Sequence, residues 1–372
     1  MKRLLEITPI SDWLGAADRP IIVSGPCSVE TEAQTLNTAL EIARHQPIHL
    51  LRGGIWKPRT RPSSFEGVGA IGLPWLKRAG NAIGVPVTVE VANAQHVEAC
   101  LEHQIDVLWI GARTTVNPFS VQEIADALRG VDIPVMVKNP VNPDLQLWLG
   151  ALERVNQAGI TRLAAVHRGF SSNESTPFRN APNWQIPIEL MSLCPELPLI
   201  CDPSHIGGQR SLLAAIAQKA MDLNMDGLMI EAHIDPDNAL SDRQQQVLPK
   251  ALAALLKGLT VREADSSSRE FRNQLESLRS LIDEVDEALL QKLSERMKIV
   301  EKIGEYKLEN NVTILQIKRW NEILRSRTEI GSALGLTNDF ILELLNQIHK
   351  ESITRQTRIM NSRLEAQPSS EK

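Results

Sequence analysis

Apolar residues follow two patterns along the 372-residue chain, and the change comes near Gly258. Up to that point short aliphatic and β-branched runs recur roughly every 20–40 residues, separated by stretches of helical spacing such as TEAQTLNTALEIARH and VQEIADALRG. The runs are PIIVSG (20–25), IHLLRGG (48–54), VPVTVEV (85–91), VLWIGAR (107–113), IPVMVKNP (133–140), TRLAAVHRG (161–169), PLICDPSH (198–205) and DGLMIEAH (226–233). They show little polar alternation, as expected of parallel strands covered on both faces. Eight strand–helix units in about 250 residues predict an α/β fold, a (β/α)8 TIM barrel. A doubly wound open sheet is the alternative, but no GxGxxG opens a helix after the first run.

Beyond Gly258 the strand signal stops. LTVREADSSSRE reads as a polar linker, which places a barrel at 1–260, a linker at 261–270 and a helical domain at 271–372. About forty residues from Arg269 contain no proline, and Leu275, Leu278, Ile282, Val285, Leu289, Leu293, Val300 and Ile303 recur at helical spacing. One long helix cannot bury such a stripe alone, so it must pack in a bundle or against another chain. Asn310 and Asn311 end it, and a second helix is expected near 314–330. Gly331 and Gly335 interrupt that helix, and Thr337 or Asn338 caps a third reaching about 362. Periodicity alone reads this three-helix, all-α segment as a dimerisation module.

Charge narrows the partners. Forty Lys and Arg against forty-five Asp and Glu give a net charge of −5, which argues against nucleic acid as a partner. The basic group Arg52, Lys57, Arg59 and Arg61 is therefore a local feature that suits a small anion. Cys27, Cys100, Cys194 and Cys201 show no paired spacing, so reduced thiols and a cytoplasmic location are expected. The amino-terminal MKRLLEITPISDWLG, broken by Glu6 and Asp12, is neither a signal peptide nor a membrane span, and no apolar run elsewhere is long enough to cross a bilayer.

The residues that follow the runs carry the chemistry, because barrel enzymes build their sites at the carboxyl ends of the strands. In order these are Cys27, Arg52 to Arg59, Glu90, Arg113, Lys138, Arg168, His205 and Glu231. Closing the last strand onto the first brings Cys27, His205 and Glu231 together, and Asp242 in ALSDRQQQ can reach the same place. Cys27 alone reads as a small buried residue, and His205 alone fits a ligand and a capping or hydrogen-bonding group equally well. Together a thiolate, an imidazole and two carboxylates suit a divalent transition metal, without choosing which one. His167 and His233 are further imidazoles expected on the rim. Opposite stand Arg52, Lys57, Arg59, Arg113, Lys138 and Arg168 with Glu90, a set suited to several phosphate or carboxylate groups.

GPCSVE, RGGIWKPRT, IGAR, VKNP, HRG, DPSH, IEAH and ALSD, in this order, resemble the type I 3-deoxy-D-arabino-heptulosonate 7-phosphate (DAHP) synthases over nearly all of residues 20–260. The related octulosonate 8-phosphate synthases carry KANR where this chain has KPRT, so the resemblance implies erythrose 4-phosphate as the acceptor for phosphoenolpyruvate. It also implies roles. Arg52, Lys57, Arg113, Lys138 and Arg168 would hold phosphoenolpyruvate near Glu90, and Arg59 and Thr60 the phosphate of erythrose 4-phosphate. Cys27, His205, Glu231 and Asp242 would bind a divalent metal, Mn2+ or a similar ion, and Lys57 would protonate the emerging alkoxide. Arg61 reads as a solvated charge. Fewer than twenty residues precede the first run, so no folded amino-terminal regulatory extension is expected.

In the helical segment Arg296 and Lys307 lie eleven apart, about 20° around a helix, whereas Arg279 lies about 100° off their face. Arg279 is thus better aimed at a neighbouring chain. Ser352 and Gln356 are one turn apart and can meet one ligand. LRSLIDEVDEALLQKLSERMKIVEKIGEYK and IHKESITRQ resemble the first and last helices of the AroQ-type chorismate mutases, over about residues 272–360. That resemblance implies a homodimer with two sites for chorismate. Arg279 (from the partner protomer) and Arg296 would bind carboxylates, Lys307 and Gln356 the ether oxygen, with Arg319 and Ser352 in support. The family often has acids where Gln316 and Trp320 stand here, a departure that touches recognition of the chorismate hydroxyl.

The expectation is therefore a bifunctional shikimate-pathway enzyme whose helical domain also mediates feedback by chorismate or prephenate. The alternative is a DAHP synthase whose helical tail only oligomerises and binds an effector.

Overall fold

The computed structural model describes residues 4–15, 19–57, 64–172, 175–263 and 265–365. Arg59, Thr60 and Arg61 lie outside the described residues. The chain divides into two compact units, 1–264 and 265–372.

In the first unit eight parallel strands close a barrel in sequence order. They are β1 (Ile21–Gly25), β2 (Leu50–Arg52), β3 (Val87–Val91), β4 (Val107–Ile110), β5 (Val135–Lys138), β6 (Leu163–His167), β7 (Leu199–Cys201) and β8 (Gly227–Glu231). A helix follows each, from Glu32–His45 after β1 to Pro249–Lys257 after β8. Closure is made by five register pairs between β1 and β8, running from Ile21 opposite Gly227 to Gly25 opposite Glu231.

Strand side chains alternate between two apolar layers. Ile22, Leu51, Val89, Leu108, Val137, Ala165, Leu199 and Leu228 face the helices in the outer core. Ile21, Val23, Leu50, Trp109, Met136, Ala164, Val166, Ile200 and Met229 fill the barrel interior. Ile10, Trp13 and Leu14 pack against the inner layer from the short turn Ser11–Leu14.

This alternation decides what the carboxyl end presents. Two residues beyond the inner layer, the same parity brings up Gly25, Arg52, Lys138, Arg168, Asp202 and Glu231. His167 has the opposite parity. It is fully buried among Trp148, Phe170 and Trp184, so it stands outside the barrel and not on the inner rim expected from sequence. Burial holds its pKa down to about 3, with the neighbouring Arg168 charge acting in the same direction.

The second unit consists of helices Arg269–Glu309, Ile317–Ala333 and Asn338–Glu365. Ser268 caps the first by accepting the Phe271 amide. Among the described residues of this unit Met297, Val300 and Ile341 are the buried apolar side chains, and Gly331 lets Ile341 approach closely. Leu278, Ile282, Val285 and Leu289 remain exposed along the amino-terminal half of the first helix.

Candidate active site

One sector of the barrel rim gathers three donors. Ligand atoms of Cys27, Glu231 and Asp242 all lie within 4.8 Å of one another. Cys27 Sγ donates to Asp242 Oδ2 at 3.1 Å, and Lys57 Nζ lies 3.0 Å from the same sulfur and 3.1 Å from the Cys27 carbonyl. His205 borders this group, with Nε2 3.8 Å from Glu231 Oε1. Its Nδ1 meets Asp202 Oδ2 at 2.8 Å, the arrangement in which a carboxylate orients a metal-binding imidazole.

The charges of this group act on one another. Burial raises the Cys27 thiol to about 12, with the Glu231 carboxylate adding to the effect. Burial works against the charge on Lys57, but Cys27, Glu231 and Asp242 more than reverse this and hold it above its ordinary value. The Asp242 carboxyl is also opposed by burial, yet Lys57 and then Arg179 keep it far below the usual carboxylate range. The donor set fits a divalent transition metal. Glu231 Oε1 is buried with no hydrogen bond directed at it among the described residues, and a bound cation would lower the thiol pKa.

The other sector holds cationic groups. Arg52 is 1% exposed, pairs with Glu231 Oε1 at 3.1 Å, and lies 5.1 Å from the centre of the Trp109 ring. Lys138 Nζ pairs with Asp202 Oδ2 at 2.9 Å and stands 5.6 Å from the same ring. The Trp109 Nε1–H donates to Glu90 Oε2 at 2.8 Å. One indole therefore underlies two cations and holds the Glu90 carboxylate beside them.

Arg168 differs from its neighbours. Its buried guanidinium donates to Asn180 Oδ1 at 2.7 Å and to the Gly169 carbonyl at 3.3 Å, both neutral. Burial lowers its pKa to about 10; the Asp202 and Glu90 charges oppose that shift and those of Arg179 and Arg113 add to it. A buried cation beside two more arginines, with no carboxylate in ion-pair contact among the described residues, is a site prepared for an anion. Arg113 itself is exposed.

Sequence reading missed Asp202, Trp109, Arg179 and the glutamines Gln245 and Gln246. Strand parity could have found the first two, since both point inward. Arg179 reaches Asp242 Oδ1 at 2.9 Å from a loop without periodicity.

In the helical unit Arg296 Nη1 donates to Ser352 Oγ at 2.8 Å, and Lys307 Nζ reaches the Ile314 carbonyl at 2.5 Å. Gln356 is buried, and its Oε1 has no partner among the described residues. His349 is depressed by burial, then by the Arg296 and Lys307 charges, which places it beside the same group. Trp320 stacks on its ring at 3.9 Å. Gln316 is the residue preceding the second helix. Arg319 pairs with Glu322 at 3.1 Å, and Arg279 lies 3.7 Å from Glu276; both are about two-thirds exposed and apart from this group in the single chain.

Comparison with known proteins accounts for both units. Residues 8–264 match the DAHP synthetase I family, and residues 278–357 match chorismate mutase type II. A phospho-2-dehydro-3-deoxyheptonate aldolase of Thermotoga maritima is 31% identical over 61% of this chain and 64% of its own length. A 2-dehydro-3-deoxyphosphooctonate aldolase of Geotalea daltonii is 28% identical over 66% of this chain and 94% of its own. The crystal structure of the Thermotoga maritima DAHP synthase superposes with a TM-score of 0.58 at 27% identity, covering 70% of each chain.

Proposed function

Because this chain belongs to the DAHP synthetase I family and carries a chorismate mutase type II domain, we propose that it catalyses two reactions of aromatic biosynthesis. The barrel condenses phosphoenolpyruvate with D-erythrose 4-phosphate and water, giving DAHP and phosphate. The helical domain rearranges chorismate to prephenate. For the barrel the observation that carries this reading is Arg168, a buried guanidinium held among neutral oxygens next to Arg113 and Arg179.

Arg168, Arg113 and Lys138 take the phosphate and carboxylate of phosphoenolpyruvate, with Arg52 completing the row over Trp109. Fixed cations stabilise the charge that shifts as C3 of the enol attacks the aldehyde. Lys57, kept protonated by its anionic neighbours, supplies the proton to the alkoxide that forms. Cys27, His205, Glu231 and Asp242 would hold a divalent metal, which would supply polarisation and orientation of the aldehyde. Arg59 and Thr60 of the KPRT motif bind the sugar phosphate, and the match to a heptonate aldolase supports the four-carbon acceptor.

In the helical domain Arg296 and Ser352 bind carboxylate, while Lys307 and the Gln356 amide N–H, held only by a long 3.4 Å bond to the Ser352 carbonyl, face the breaking ether bond. Protonated or amide donors at that oxygen, and a pocket holding the compact conformer, suffice for a unimolecular step. The exposed stripe from Leu278 to Leu289 supports a homodimer in which Arg279 enters the partner's site, with Arg319 in support. The mutase domain also relays feedback by chorismate or prephenate to the barrel.

One full-chain assay tests the whole. Both reactions are followed with and without chelator, and with prephenate added. DAHP formation should fall with chelator and with prephenate, and chorismate loss should ignore the chelator. A chain that forms no prephenate reduces the tail to an oligomerisation and effector module.

A further inference from the structure

Two adjacent glutamines tie together the strand ends that carry the metal donors. Gln245 and Gln246 are 1% and 0% exposed, and they follow Asp242 in a loop rather than a strand. The Gln246 amide works on both sides. Its Oε1 accepts the Cys27 backbone N–H at 2.9 Å, and its Nε2 donates to the Ser241 carbonyl at 2.8 Å. Ser28 Oγ and Ser241 Oγ, 2.5 Å apart, make a second tie between the same two segments. Cys27 and Asp242 are thus spaced by buried hydrogen bonds immediately next to each ligand.

Gln245 acts on the third donor. Its Nε2 donates to Glu231 Oε2 at 2.7 Å, and its own Oε1 accepts from Arg179 Nη1 at 2.7 Å. The same Arg179 nitrogen donates to Asp242 Oδ1 at 2.9 Å, while Asp242 Oδ2 faces the Cys27 sulfur at 3.1 Å. One oxygen of each carboxylate is therefore occupied by a fixed donor.

Resting on the metal-dependent reading above, we infer that Gln245 and Gln246 are positioning residues for the metal site. Gln246 sets the spacing of Cys27 and Asp242. Gln245 ties down Glu231 Oε2, so Oε1, which carries no hydrogen bond among the described residues and has only the Arg52 guanidinium at 3.1 Å and His205 Nε2 at 3.8 Å beside it, is the oxygen that would face the metal. A thiolate with single oxygens from two carboxylates favours a transition metal over Ca2+, which takes more and often bidentate oxygen ligands. Outer contacts of this kind commonly change metal affinity by about 10–100-fold.

The test uses the metal-stripped full chain titrated with Co2+, read by the thiolate-to-cobalt absorption and by the intensity of the visible cobalt bands. Gln246→Met should weaken Co2+ binding by about tenfold or more, and Gln246→Glu, which keeps the acceptor for the Cys27 amide, should fall between it and the parent. Gln245→Met frees Glu231 Oε2, so the visible bands should lose intensity as coordination number rises and Ca2+ should compete better. If Gln246→Met does not fold, the equal-sized Gln246→Glu carries the affinity comparison. Variants that lower the melting temperature but bind Co2+ with parental affinity and spectrum make the pair merely structural and overturn the inference. A parent chain with no thiolate-to-cobalt band removes the metal reading itself, whereas a band shared unchanged by parent and variants removes only this assignment.

Discussion

Lys138 and His205 converge on a single oxygen, Asp202 Oδ2, at 2.9 and 2.8 Å. This carboxylate joins the cationic sector around Trp109 to the sector of Cys27, Glu231 and Asp242, and it is fully buried. Burial works to raise its pKa, but His205, Lys138 and Arg52 reverse that and hold it well below the ordinary carboxylate value.

Asp202→Asn should therefore injure both sectors. Leaving Lys138 buried without its partner costs about 3–5 kcal/mol, visible as a lower urea midpoint. Loss of the contact to His205 Nδ1 should weaken metal binding by about 10–100-fold. The pH dependence gives an independent check. A carboxyl whose folded pKa is depressed contributes stability above its unfolded value of about 3.9 and loses it as pH falls. The parent should lose stability below about pH 4 more steeply than the Asn variant, which equilibrium unfolding at several pH values measures.

Gly111 has a different task. A Cβ built there would stand 2.2 Å from Glu90 Oε1 and 2.6 Å from its Cδ. Gly111→Ala should push Glu90 off the Trp109 Nε1–H and disturb the indole beneath Arg52 and Lys138. The expected stability loss is about 1–3 kcal/mol, with a raised KM for phosphoenolpyruvate and little change for chorismate. Steady-state kinetics of both reactions distinguish this from general unfolding.

Much of this site was legible in the sequence because a parallel barrel sends every strand to the same end. Cys27, Arg52, Lys138 and Glu231 could be placed from strand order alone. Parity was harder to read. His167 and Arg168 are neighbours, yet one faces Trp148 outside the barrel and the other the site within. Buried strands lack the polar alternation that would have distinguished them. Arg179, Gln245 and Gln246 could not be found because loops carry no period, and their partners lie far away along the chain. The stack of Trp320 on His349 was hidden for a similar reason, since it joins two helices.

His167 should shape the acid stability of the barrel. Burial depresses its pKa to about 3, so the folded chain keeps it neutral where the unfolded chain, near 6.5, binds a proton. Stability is then unaffected above about pH 6.5 and declines as pH falls from there toward 3. His167→Phe keeps an aromatic ring against Trp148 and Trp184 and removes the titration. Calorimetry should show a flatter decline for the variant across that window, with parental stability at pH 8 changed far less. Equal slopes for the two proteins would mean that another group governs this limb.

Gln356 makes function and stability pull in opposite directions. Its Oε1 is buried with no partner among the described residues, and its Nε2 reaches only the Ser352 carbonyl at 3.4 Å. An unsatisfied buried group costs about 1–3 kcal/mol, and that cost is removed when the amide is replaced by an apolar side chain of similar size. Gln356→Leu should therefore leave the thermal transition of the helical unit unchanged or raise it. On the function proposed above, the same change also removes the Gln356 Nε2–H donor from the ether oxygen of chorismate, and should lower the mutase kcat by about 10²–10³. Lys307→Ala should lower it comparably, while Ser352→Ala, which strips a neutral contact from Arg296, should act mainly on KM. DAHP formation measured on the same preparations should stay at the parental rate. A Gln356→Leu chain that is more stable and equally active would mean that this amide serves no step of the rearrangement.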